Sequence, residues 1–248
     1  MTRIVILAAG KGTRMNSELP KVLVPLNGRP MIKYLMDSVV ASGVDTKPII
    51  IVSPDNQEII SQELKDYNAE YVIQNQQLGT GHAVACAQEV LEKSEIPTDN
   101  IIVLYGDHPF LKSDSIKKFS DLNPKALTIM PATLPDFDDW HQNFYHWGRI
   151  IRGVDGRVEK IVEFKDASDE EKLVTEVNPG FMCFNYSWLF KNIADLQNNN
   201  IPKEYYLTDM VNIAFAEGYE IGTVSIEPHE AMGINSREEL LIAEGLLS

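Results

Sequence analysis

The 248-residue chain is long enough for one large α/β domain or two small ones, and its 44% apolar residues can fill a core. Lysine and arginine number 22 against 36 aspartates and glutamates, so the net charge is −14. That balance excludes the broad basic face that DNA or RNA demands, although an anionic small molecule remains open if the field is reversed locally. No apolar run approaches a membrane span and no charged-then-apolar leader precedes the first strand, so neither a membrane partner nor secretion is expected. Cys86 and Cys183 lie far apart and make no metal spacing, which suits reduced thiols in the cytoplasm.

Strand-like and helix-like stretches alternate almost throughout, the signature of an α/β sheet with helices on both faces. Ile4 to Leu7 is an unbroken apolar run, as in a parallel strand buried on both faces. Ala8-Ala9-Gly10 and Lys11-Gly12-Thr13-Arg14 follow. Small residues let the main chain come close to a ligand, successive amides can meet an anion, and Lys11 and Arg14 add full charge. The turn lacks the closing Gly-Lys-Ser or Gly-Lys-Thr of a P-loop, and Met15 replaces the third glycine of the dinucleotide fingerprint. Its mark is charge: residues 1–33 carry Arg3, Lys11, Arg14, Lys21, Arg29 and Lys33 against one acid, Glu18. A polyphosphate suits such a place.

Further along, Asn27-Gly28 reads as a turn, and Pro30 as the first residue of a helix that runs to about Ser42 and stops at Gly43. Strands are predicted at Ile49 to Val52 and Tyr71 to Ile73, with a helix from Asn56 to Tyr67 between them. The polar loop from Gln74 to Ala83 opens a helix that continues to about Lys93. Ile101 to Tyr105 is another buried strand, followed by Gly106-Asp107-His108-Pro109, a helix from Ser113 to Phe119 and a strand from Ala126 to Met130.

Thr133 to Trp147 breaks this rhythm with aromatics and two histidines among acids, and reads as a loop or lid. The second half predicts strands at Gly148 to Arg152, Val158 to Phe164, Phe181 to Asn185 and Tyr219 to Ile226. Helices are predicted at Tyr186 to Leu196 and Leu207 to Glu217. Ser236-Arg237-Glu238-Glu239 is a capping-box pattern for a closing helix. One domain with two lobes is expected, residues 1–131 and 132–248.

Several residues carry chemistry, each with a plainer alternative. Asp107 lies just past a buried strand, where open α/β sheets place ligands; it could hold Mg²⁺ or cap the helix after Pro109. Lys21 could neutralise charge on a transferred phosphoryl group, or be one more solvated lysine. Gln74 could read a base edge, Glu163 could bind hydroxyls, and Asn178 and Asn235 each have a turn reading that needs no ligand.

The runs LAAGKGTRM, LPKVLVPLNGRPM, QNQQLGTGHA and LYGDHP resemble the sugar-phosphate nucleotidyltransferases. The closest resemblance is to the uridylyltransferase domain of the bifunctional N-acetylglucosamine-1-phosphate uridyltransferases. GRI at Gly148, IVEFKDASDEE from Ile161, EVNPG at Glu176, EYYLTDM at Glu204 and GIN at Gly233 continue it in family order to residue 240.

The resemblance implies a Rossmann-like nucleotide-diphospho-sugar transferase fold, an α/β architecture with a mixed, mostly parallel central sheet and a smaller sugar-binding lobe. It implies a Mg²⁺-dependent transfer of a uridylyl group from UTP to N-acetylglucosamine 1-phosphate. Leu7, Ala8, Ala9, Gly10 and Gly12 would pack against the nucleotide, with Gln74 and Gly79 reading the uracil. Arg14 and Lys21 would bind the phosphates, and Asp107 and Asn235 the Mg²⁺. Thr80, Tyr105, Gly148, Glu163 and Asn178 would line the sugar side.

Two features depart from that family. The β-helix acetyltransferase domain of the bifunctional relatives is not expected in a chain ending at Ser248. The segment from Leu134 to Trp147 is an insertion beside Gly148, which leaves the sugar open. Another sugar 1-phosphate, another nucleotide, or a non-catalytic sugar-nucleotide sensor remain alternatives.

Overall fold

The computed structural model describes residues 1–10, 12–15, 17–200 and 203–247. In chain order the strands are β1 (Thr2–Leu7), β2 (Pro25–Leu26), β3 (Arg29–Pro30), β4 (Ile49–Val52), β5 (Glu70–Ile73), β6 (Asn100–Tyr105), β7 (Leu127–Ile129), β8 (Ala132–Thr133), β9 (Arg149–Arg152), β10 (Val158–Val162), β11 (Glu176–Val177), β12 (Met182–Asn185) and β13 (Gly222–Thr223). Seven of them form one sheet in the order β13-β7-β12-β6-β1-β4-β5. Only β12 runs antiparallel to its neighbours there, so the sheet is mixed and mostly parallel, as expected. A smaller antiparallel sheet, β10-β9-β11-β8, is built from the second half of the chain.

The apolar run of β1 is buried because the strand lies between β4 and β6 with helices on both faces. Ile4 and Ile6 face a cluster with Leu35, Met36, Ile102 and Leu104, whereas Val5 faces the opposite one with Ile49, Ile51, Ile101 and Val84. This is the period-2 alternation of a strand with both sides covered. From β1 the chain winds outward through β4 to β5, then returns to the other side of β1 as β6. The strand order therefore reverses between β1 and β6, and a crevice opens beyond their carboxyl ends. Leu7 pairs with Tyr105 at that edge, and Gly106 N–H donates to the Leu7 carbonyl at 3.0 Å.

Several elements differ from expectation. Pro30 closes β3, and the helix begins one residue later, as Met31–Ser42. The helix after Asn56 is Gln57–Glu63, with turns rather than helix up to Tyr67. The stretch expected as one helix to Lys93 is two, Thr80–Ala85 and Gln88–Glu92. Within the predicted loop, Asp139–Phe144 is a 3₁₀ helix with Phe144 fully buried. The strand expected to Phe164 ends at Val162, and of the strand expected from Tyr219 to Ile226 only Gly222–Thr223 and a bridge at Ile226 remain.

The closing helix, Arg237–Leu246, keeps half of its expected capping box. The Ser236 hydroxyl accepts from Glu239 N–H, but the Glu239 carboxylate takes the Asn235 N–H instead of that of Ser236. A complete box stands where none was foreseen, between Ser168 and Glu171. No helix among the described residues is long and apolar enough to cross a membrane.

The basic cluster of residues 1–33 does not act as a unit. Arg29 pairs with Asp37 and Lys33 with Glu63 on the surface. Lys11 lies outside the described residues. Arg3 is 1% exposed and is bound at the base of the sheet, away from the glycine turn. Its Nε donates to Asp45 Oδ2 at 3.1 Å, and its other nitrogens reach the Lys47 carbonyl and the Ser94 hydroxyl. Asp45 also accepts from Ile4 N–H at 2.8 Å and from Lys47 N–H at 2.9 Å. Both charges are thus paired and hydrogen-bonded, the condition under which burial is tolerable. Asp45→Ala leaves the guanidinium buried and unpaired, with an expected loss of about 3–5 kcal/mol in urea unfolding. An unchanged midpoint would show that the pair does not hold the strand.

Candidate functional site

A cavity of about 700 Å³ occupies the crevice beyond β1 and β6. Of the residues expected to form a site, Leu7, Ala8, Ala9, Gly10, Arg14, Lys21, Gln74, Gly79, Thr80, Tyr105, Asp107, Gly148, Glu163, Asn178 and Asn235 all line it. Gly12 does not. A Cβ there would stand 2.5 Å from Lys21 Cβ, and its φ is +60°, so Gly12 lets the turn close over the root of Lys21.

The cationic end of the cavity is a junction of three chain segments. The Lys21 ammonium bonds Asp107 Oδ2 and donates to Asn235 Oδ1 at 3.1 Å; Arg14 reaches the same Asn235 oxygen at 3.4 Å. Asp107 follows β6, and Ile234 N–H donates to its carbonyl at 2.9 Å, which brings residues 107 and 235 together. The Glu239 carboxylate pins the Asn235 amide from the closing helix. Asp107 is 6% exposed. Burial alone would raise its carboxyl, but the Lys21 ammonium and the His108 ring together hold it well below the usual carboxylate range. Two oxygen donors therefore converge on one point that takes a positive charge. No group of three or more His, Cys, Asp or Glu side chains placed to hold a metal occurs among the described residues.

A polar corner lies at the end of β5. Gln74 is 3% exposed, and its Nε2 donates to the Gly79 carbonyl at 3.1 Å and meets His82 Nδ1 at 2.9 Å. Gly79 has φ +104°, and a Cβ there would stand 2.6 Å from the Tyr205 carbonyl oxygen. Only glycine lets this loop dock so closely on the 204–205 segment, where Tyr205 N–H donates to Leu78 O and Gly81 N–H to Tyr205 O, both at 2.8 Å.

Opposite, Tyr105, Thr80, Gly148, Glu163 and Asn178 form the remaining wall. Asn178 N–H donates to the Gly148 carbonyl at 3.0 Å, and its side-chain oxygen accepts from Gly180 N–H at 3.0 Å. Burial raises the Tyr105 hydroxyl above its ordinary value, and the negative charge of Asp107 adds to that. Burial also raises the Glu163 carboxyl, which accepts from Thr208 Oγ1 at 3.4 Å.

Residues not singled out from sequence also line the cavity: Asn143, His146 and Trp147 of the 134–147 segment, and Glu204, Thr208 and Glu239. The segment from Leu134 to Trp147 is folded around Arg149, which is fully buried and has no carboxylate partner among the described residues. Arg149 donates to the Tyr145 carbonyl at 2.7 Å and to that of Trp147, and lies 4.6 Å from the Phe137 ring centre and 5.5 Å from that of Phe164. The only sequence sign of this was the density of aromatics before Gly148-Arg149. Asn143 Nδ2 is buried with no hydrogen-bond partner among the described residues.

Residues 4–151 match the MobA-like NTP transferase domain. The chain is 40% identical over 247 residues to the bifunctional protein GlmU of Clostridium novyi (strain NT), covering 98% of this chain and 51% of that protein. It is 39% identical over 245 residues to the bifunctional protein GlmU of Caldicellulosiruptor saccharolyticus, with 97% and 50% covered. Against that of Clostridium acetobutylicum it is 38% identical over 240 residues, with 95% and 50% covered. The chain thus spans about half the length of the curated relatives it matches. The domain match runs through the glycine turn, the Gln74 loop and Asp107, and on these grounds the chain belongs to the MobA-like NTP transferase family.

Proposed function

We propose that the protein transfers a uridylyl group from UTP to N-acetylglucosamine 1-phosphate, releasing pyrophosphate, with Mg²⁺ as the metal. The observation that carries this reading is the junction of Lys21, Asp107 and Asn235 beside the glycine turn. The donors fit the metal: a carboxylate and an amide oxygen suit a hard cation that takes further oxygens from water and phosphate. When bound, the metal would neutralise phosphate charge and draw electron density from the reacting phosphorus.

The remaining chemistry belongs to the chain. The acceptor phosphate oxygen is already anionic, so no general base is required. It forms a bond to the α-phosphorus as the bond to the bridging oxygen breaks, and pyrophosphate leaves with that electron pair. Arg14 and Lys21 oppose the negative charge that gathers on the leaving group, and the turn from Ala8 to Gly10 holds the nucleotide in line. Gln74 and Gly79 would take the base, and Tyr105, Glu163 and Asn178 the sugar. Asn143, His146 and Trp147 favour a second reading of the acceptor, because the insertion places them in the same cavity. A different sugar 1-phosphate is that reading.

Pyrophosphate release across a panel of nucleotides and sugar 1-phosphates tests the proposal. UTP with N-acetylglucosamine 1-phosphate is expected to be fastest, and a different fastest acceptor would replace the sugar while leaving the transfer. Lys21→Ala and Asp107→Asn are each expected to lower turnover by about 100-fold or more with the thermal transition retained. Near-normal turnover in either variant removes that residue from the mechanism.

Glu163 gives a prediction in stability. Between its ordinary value of 4.5 and its raised folded value, the folded state holds more protons than the unfolded chain. Its contribution to stability therefore falls as pH rises through that range. Glu163→Gln is expected to gain stability relative to the parent as pH rises above the ordinary value of 4.5 in denaturant titrations. A constant difference would show that Glu163 is not held in a charge-excluding place.

A further inference from the structure

We infer that His82 is a positioning residue that decides which base the cavity accepts, by holding the Gln74 amide in one orientation. The inference rests on the nucleotidyl-transfer reading, since it concerns the base of that nucleotide.

A glutamine amide presents a donor on one side and an acceptor on the other, and its neighbours decide which faces the ligand. The Gly79 carbonyl can only accept, so the amide atom 3.1 Å away must be Nε2. His82 Nδ1 lies 2.9 Å from the same nitrogen. The two hydrogens of Nε2 therefore go to Gly79 O and His82 Nδ1, which requires the ring to present a lone pair at Nδ1 and carry its proton on Nε2. Gln74 Oε1 has no protein partner among the described residues, and Gln74 lines the cavity. His82 stands behind it, off the cavity wall, and acts only through the amide.

Gly79 N–H makes no protein hydrogen bond among the described residues either. The corner thus offers an acceptor, Gln74 Oε1, beside a donor, Gly79 N–H. The complement is a ring N–H next to a carbonyl, which uracil presents at N3 and C4. Cytosine would set the N3 lone pair against Oε1 and its amino group against the N–H, leaving buried groups unpaired. Guanine offers the same edge as uracil, so this device sorts UTP from CTP and leaves size to sort purines. The loop itself is held independently by the Leu78, Gly81 and Tyr205 backbone bonds, so loss of the His82 acceptor removes one of the two bonds that orient the amide, leaving only the longer one to Gly79 O, without releasing Gly79.

The test compares His82→Phe, which keeps a ring without the acceptor, with His82→Asn, whose side-chain oxygen can take the place of Nδ1. The ratio of kcat/KM for UTP to that for CTP is expected to fall at least about tenfold in His82→Phe. His82→Asn is expected to stay within about threefold of the parent, and the KM for the sugar 1-phosphate to stay unchanged in both. An unchanged ratio in His82→Phe, or equal loss in the two variants, overturns the inference. The parent enzyme with 3-methyluridine triphosphate gives an arm independent of variant folding, because the N–H is gone; turnover equal to that with UTP also overturns it. If the parent releases no pyrophosphate from any nucleotide, the transferase reading fails. Calorimetric binding of UTP against CTP then decides the role of His82 with the same expected ratios.

Discussion

The structure depends on the parallel pairing of β1 with β6, with β4 on the other side of β1. A strand buried on both faces must send its chain out at one end, and parallel neighbours send theirs out at the same end. The glycine turn after Leu7 and the Gly106-Asp107 turn after Tyr105 are therefore neighbours by construction. No loop conformation is needed to bring them together, and the cavity is a consequence of strand order.

Charge is then distributed by burial. In a chain of net charge −14, several early cations are spent on local carboxylates: Arg3 on Asp45, Arg29 on Asp37 and Lys33 on Glu63. Lys21 and Arg14 reach the cavity, and there Lys21 is held by Asp107 and Asn235. A cationic spot of this kind works because it is half-enclosed, where charges are screened less than on the open surface. The opposite wall carries Glu163 and Tyr105, where burial raises both groups above their ordinary values by disfavouring the charged form.

The same economy governs the polar corner at Gln74. The amide meets two acceptors, the Gly79 carbonyl and the His82 ring, and its oxygen has no protein partner among the described residues. The segment from Leu134 to Trp147 follows another principle. Arg149, buried among Phe137, Tyr145 and Phe164, organises an otherwise irregular segment by carbonyl and ring contacts. Its side chains Asn143, His146 and Trp147 thereby become part of the wall.

What the sequence determined by itself is local. Unbroken apolar runs at Ile4, Ile49 and Ile101 declared buried parallel strands, and small residues with Lys11 and Arg14 beside them raised the expectation of an anion there. Such signals are legible because strand burial and close main-chain approach restrict residue type one position at a time. Family-order motifs added the positions of Gln74, Asp107, Asn178 and Asn235. Tertiary structure alone decided the insertion of β12 between β6 and β7, the pairing of Arg3 and Arg29 with carboxylates away from the cavity, and the retreat of Gly12 behind Lys21. It alone gave His82, Asn143 and His146 their surroundings. Which charge meets which carboxylate, and which way an amide points, depend on residues far away in the chain. Spacing within a single segment carries no record of them.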